Sequence, residues 1–170
     1  KLPAEITRGE GTIALTMHDG GVVETATKTI PILLQTVDLQ LYPEGGDLIA
    51  GVPARVYLEA KQPNQKPADI AGVIVDDKGK EVASFKTAHE GRGMFAFKPQ
   101  ADRTYKLKIS EPAGIKTTYD LPAAKESGAT LQALDEVVAP GNPVRLAVQS
   151  NYKRPVQVTL SKRDVKIASK

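Results

Sequence analysis

Apolar and polar residues alternate with a period of two in short runs along most of this chain, and helical periodicity is confined to a turn or two around Ala123. Ile13, Leu15 and Met17 alternate with Thr12, Ala14, Thr16 and His18, the pattern of a strand with one face buried. Asp19-Gly20-Gly21 reads as a hairpin turn, with glycine supplying positive φ, and Val22 to Ile32 returns with Val23, Thr25, Thr27 and Thr29 on one face. From Val37 the alternation repeats. Val37, Leu39 and Leu41 are followed by the break Pro43-Glu44-Gly45-Gly46, and then Val56, Leu58 and Ala60 share a face. Ile70, Gly72 and Ile74 lead into the turn Asp76-Asp77-Lys78-Gly79-Lys80, from which Val82 to Thr87 returns. Phe95 and Phe97, then Tyr105, Leu107 and Ile109, and finally Ile115 to Leu121 complete the block. These are about seven strands with turn signals roughly every 8–12 residues. The pattern predicts one complete sandwich over 37–122, with Val56, Leu58, Phe95, Phe97, Leu107 and Ile109 inside.

The two ends are less complete. Residues 1–36 read as the closing strands of a sandwich. Residues 123–170 read as a linker, Ala123 to Gly128, and the opening strands of a further sandwich: Thr130–Val137, Pro143–Ser150, Val156–Leu160 and Val165–Ala168. A lone hairpin is marginal in water, and unpaired edges invite association. The ends are therefore expected either to pack together as a composite sandwich or to be completed by another chain, as in a homodimer. The first arrangement would bring Ile13, Leu15 or Val23 against Leu146, Val148 or Val158. The fold class is thus all-β, with immunoglobulin/fibronectin-like antiparallel β-sandwich domains, one complete and one composite or partial. A start in mid-pattern at Lys1-Leu2-Pro3 and a stop on a strand-like run suggest a piece of something longer.

Composition sharpens this picture in three places. Fourteen Gly and 12 Pro in 170 residues, with no Trp, fit many turns between short strands. The net charge of +3 is a small excess of 23 basic over 20 acidic residues. Its local concentration, Lys153, Arg154, Lys162, Arg163, Lys166 and Lys170, lacks interleaved aromatics and reads as solvated strand faces, not a nucleic-acid footprint. The absence of cysteine excludes disulfides, thiolate metal sites, cysteine nucleophiles and thioesters within these residues. No apolar run approaches the ~20 residues of a membrane-spanning helix.

Candidate chemistry is sparse. His18 and His89 are the two histidines, beside Asp19 and Glu90, with no nucleophile or metal shell in the pattern. Ser84 and Ser110 lack a nucleophile elbow. Asp76, Asp77 and Glu81 surround Gly79 without the spacing of a calcium loop, so they read as turn chemistry. Glu44 and Asp47, flanking Gly45-Gly46, receive the same reading. Phe95, Phe97, Tyr57 and Tyr105 are expected in the core, whereas Tyr42, at a strand end, suits either a core edge or water. No catalytic, cofactor-binding or metal residue is assigned, no cofactor is expected, and the chain is read as not an enzyme.

The succession Val37-Asp38-Leu39-Gln40-Leu41-Tyr42-Pro43-Glu44-Gly45-Gly46, continued to Val56, resembles the macroglobulin-like domains of bacterial alpha-2-macroglobulin-type proteins. So do Gly72-Val73-Ile74-Val75-Asp76-Asp77-Lys78-Gly79 and His89-Glu90-Gly91-Arg92-Gly93-Met94-Phe95. Together with the Asp19-Gly20-Gly21 hairpin the likeness covers most of residues 10–121. It implies sandwiches strung in a large secreted or envelope protein, periplasmic or on the outer surface. The expected function is structural and interactive: contact with neighbouring domains or a protein partner, in protease inhibition or host contact. The competing function is a carbohydrate- or ligand-binding β-sandwich attached to an extracellular enzyme, which would require exposed aromatic side chains; an aromatic fraction of 5% with no Trp speaks against it.

Overall fold

The computed structural model describes residues 11–30 and 36–170. Among these residues every regular element is a strand: β1 (Gly11–Asp19), β2 (Val22–Ile30), β3 (Asp38–Pro43), β4 (Ala54–Lys61), β5 (Ala71–Asp76), β6 (Glu81–His89), β7 (Arg92–Phe97), β8 (Tyr105–Glu111), β9 (Thr118–Asp120), β10 (Ala129–Ala133), β11 (Leu146–Ser150), β12 (Thr159–Lys162) and β13 (Val165–Ser169). No helix among them is long and apolar enough to cross a membrane.

Seven strands, β3 to β9, form the antiparallel sandwich expected over 37–122. Hydrogen bonding runs in the order β3-β4-β7-β6-β5-β8-β9, because β6 serves both layers. Its first part pairs with β5, from Glu81 opposite Val75 to Lys86 opposite Ala71. Beyond Lys86, Thr87 and His89 pair instead with Gly93 and Arg92 of β7, with a register shift between these two pairs. Thr87 is buried at this crossover, where its hydroxyl accepts from Ile70 N at 2.8 Å. A polar side chain at this buried point is tolerated because it satisfies backbone left over where the strand changes layer.

Alternation decides what lies inside. In β4, Ala54, Val56, Leu58 and Ala60 point inward, and in β8 Tyr105, Leu107 and Ile109 do so. Val56, Leu58, Phe95, Phe97, Leu107 and Ile109 are all buried, as expected. Phe85, Phe95, Phe97 and Tyr105 make a chain of ring contacts across the two layers, with centroids 6.4, 5.9 and 5.0 Å apart. Gly72 leaves room for this packing, since a Cβ there would lie 2.9 Å from a Phe85 ring carbon and 2.0 Å from Lys108 O. Tyr57 departs from expectation. It sits between Val56 and Leu58, so strand parity turns it outward, and it is 41% exposed opposite Tyr42 and Met94.

Two tyrosine hydroxyls close the sandwich. The Tyr105 hydroxyl, at the start of β8, accepts from Gln100 N at 2.9 Å and fixes the turn before that strand, a tyrosine-corner arrangement. The Tyr119 hydroxyl donates to Val37 O at 2.6 Å and accepts from Val37 N, joining the last strand to the start of the first. Burial pushes the Tyr119 phenol above its ordinary value. Its neutral form is therefore favoured in the fold, and that contribution is present below the ordinary phenol pKa of ~10 and lost as pH rises through the folded value. Tyr119→Phe is expected to lower stability by about 1 kcal/mol at neutral pH. Urea denaturation of both proteins at pH 7 and pH 10.5 measures this, and the difference should shrink at the higher pH.

The ends lie in separate two-stranded sheets: β1 with β2, β10 with β11, and β12 with β13. Ile13, Leu15 and Val23 are 50%, 70% and 57% exposed in the single chain, and Leu146 and Val148 are 47% and 42% exposed.

Candidate functional site

The densest polar constellation binds the sandwich to the strands that follow it. It begins in the segment Tyr42-Pro43-Glu44-Gly45-Gly46, where β3 ends. Gly45 has φ +83°, which favours glycine. Any Cβ there would lie 2.9 Å from Leu131 N, so β10 approaches the Gly45 backbone directly. Glu44 takes advantage of that approach. Its carboxylate accepts two hydrogen bonds from Arg55, at 2.5 and 2.8 Å, and a third from Ala133 N at 3.1 Å. Arg55 in turn donates to Ala133 O at 2.6 Å. Fork-to-fork geometry makes such a pair both strong and directional, and the hydrogen bond to Glu44 holds the Arg55 guanidinium above its ordinary pKa. Both backbone polar groups of Ala133 are thereby satisfied by side chains of the sandwich.

Residues 123–128, read from sequence as a linker, are docked. Lys125 N donates to Leu48 O at 2.8 Å and Ala50 N donates to Lys125 O at 2.9 Å. The Lys125 ammonium meets Asp47 Oδ2 at 2.7 Å. Gly128 packs on Ile49, and a Cβ there would fall 2.5 Å from Ile49 Cδ1. Asn151, at the far end of β11, then ties three pieces together. Its Nδ2 donates to Ala50 O at 2.9 Å and to Glu126 O at 2.6 Å, while its Oδ1 accepts from Gly128 N at 3.1 Å. Gln132 adds a bond from Nε2 to Pro53 O at 3.2 Å.

Glu44 and Asp47 therefore do not perform the local turn chemistry expected of them; their partners lie at Arg55, Ala133 and Lys125. Arg55 and Asn151 received no role from the sequence. Their signal was faint: a Glu followed by two glycines at a strand end, where one positive-φ residue would suffice for the turn. Asp76 does behave as a turn residue, its Oδ1 accepting from Lys78 N and Lys80 N at 3.0 and 2.9 Å. Asp77 pairs with Arg103 at 2.7 Å, which holds its carboxyl below the usual range. Asp135 is likewise lowered by its hydrogen bonds from Arg145.

The remaining candidates are scattered. His18 is exposed on β1, and His89 ends β6 with its Nε2 4.0 Å from Glu90 Oε1. Ser84 is exposed on β6, and the Ser110 hydroxyl donates to Ala71 O at 3.3 Å. Among the described residues no cluster of three His, Cys, Asp or Glu could hold a metal ion. No family model, curated protein or solved structure matches the chain.

Proposed function

We propose that this chain is a non-catalytic spacing and interaction segment of a large secreted or envelope protein of alpha-2-macroglobulin type. In this role the sandwich over 37–121 holds the following strands at a set angle, so that other parts of the protein are presented for protease inhibition or host contact. The observation that supports it is the joint built from Glu44, Arg55, Asp47, Lys125 and Asn151. A tether between independent modules has no need of a linker bonded along its backbone, whereas a spacer that transmits orientation does. Exposed apolar residues on β10–β13, such as Leu146, Val148, Leu160 and Ile167, suit further contact with neighbouring domains or a protein partner.

Limited trypsin digestion tests the spacer reading. Lys125 belongs to a segment rich in small and polar residues, which an undocked linker would expose to cleavage. Cleavage after Lys125 is expected to lag well behind cleavage after Lys153 or Lys162, and to accelerate in Asn151→Ala. Rapid early cleavage after Lys125 in the unaltered chain would remove the reading.

A further inference from the structure

We infer that the outer face of β3, β4 and β7 is a binding site for an uncharged saccharide, a site distinct from the joint and beyond the spacing role. Tyr42, Tyr57 and Met94 stand in one row across three strands, paired directly in register, Tyr42 opposite Tyr57 and Tyr57 opposite Met94. They are 49%, 41% and 44% exposed. A groove of about 250 Å³ runs beside the rings, lined by Tyr42, Tyr57, Glu59 and Arg92 and reaching Leu58 and Gly93. Two tyrosines side by side on the outer face give an apolar floor on which the C–H face of a pyranose ring can lie.

The rim supplies what sugar hydroxyls need, donors and acceptors side by side. Glu59 lies between two cations, with Lys61 Nζ at 3.4 Å and Arg92 Nε at 4.0 Å. Arg92 is also 4.0 Å from Glu90, and its side chain is 69% exposed. The Tyr42 hydroxyl donates to Gln40 Oε1. Two carboxylates and two cations balance, so the rim favours a neutral ligand over a phosphorylated or acidic one. Size separates a small ligand from a protein partner. The exposed parts of the three apolar side chains amount to roughly 300 Å², against about 800 Å² per partner in a stable protein interface. The charged ring around them stops the patch from extending. Exposed aromatics were the feature the competing carbohydrate-binding function required, and two of the five tyrosines meet it side by side.

Titration of the full chain with cellohexaose, maltohexaose and chitohexaose, followed by amide NMR shifts and by tyrosine fluorescence, tests the site. The absence of Trp leaves tyrosine emission unobscured. At least one of the three is expected to shift Tyr42, Tyr57 and Arg92 with half-saturation below about 1 mM. Tyr57→Ala and Tyr57→Leu should each weaken that binding about tenfold or more, and Tyr57→Leu, which keeps an apolar side chain between Tyr42 and Met94, should leave the melting temperature nearly unchanged. Glu59→Gln should weaken it by a smaller factor. No shift at these residues with any of the three at about 10 mM, or equal binding by Tyr57→Leu, would overturn the assignment. So would concentration-dependent shifts of the same residues without sugar, which would make the face a contact between copies.

Discussion

Phe95→Ala is expected to destabilise the sandwich by about 3–5 kcal/mol, measured as a drop in the urea midpoint at unchanged slope. Phe95 is 2% exposed and touches both Phe85 and Phe97, and Phe97 carries the contact on to Tyr105. Truncation removes the ring at the centre of this chain and leaves a cavity between two layers whose backbones are hydrogen-bonded in place. Neither layer can close the gap without breaking its own pairing, so relaxation recovers little. A loss below about 1 kcal/mol would mean that the layers are loosely packed and that the core has been placed wrongly.

Asn151→Ala is expected to detach the strands after the joint while sparing the sandwich. The side chain makes bonds to Ala50 O, Glu126 O and Gly128 N, and no neighbouring group is placed to replace all three. Allowing for their partial exposure, the loss comes to about 1–3 kcal/mol. Amide exchange over 129–150 should accelerate roughly 5- to 150-fold, with residues 37–121 nearly unaffected. If exchange rises equally across both parts, the joint and the sandwich unfold as one unit. If it does not change, the docking rests on the other contacts: Glu44 with Arg55, Lys125 with Asp47 and with the backbone of Leu48 and Ala50, and Gln132 with Pro53.

Strand positions and the core between Val37 and Leu121 were legible because period-two alternation is set by the pleat, and the pleat admits only two faces. Val56, Leu58, Phe95, Phe97, Leu107 and Ile109 had to point together. Tyr57 is the exception: an aromatic residue type points to the core, while its alternation with Val56 and Leu58 places it outside. Residue type is a statistical preference, and parity is geometry. The joint was not legible for a different reason. Glu44 and Ala133 are far apart in sequence, and nothing in local propensity links a carboxylate to a backbone N–H in another sheet. Asn151 lies outside the alternating runs, and no pattern points to its partners. The crossing of β6 between layers was equally hidden, since a change of pairing partner leaves no mark of its own in the run Glu81 to His89.

A joint built this way makes residues 37–121 and the β10–β11 pair tumble as one rigid body. Residual dipolar couplings measured on the weakly aligned chain test this directly. The joint of Glu44, Arg55, Lys125 and Asn151 predicts that couplings from both parts fit a single alignment tensor of one magnitude and orientation. Two tensors of clearly different magnitude, with the smaller over 129–150, would contradict it.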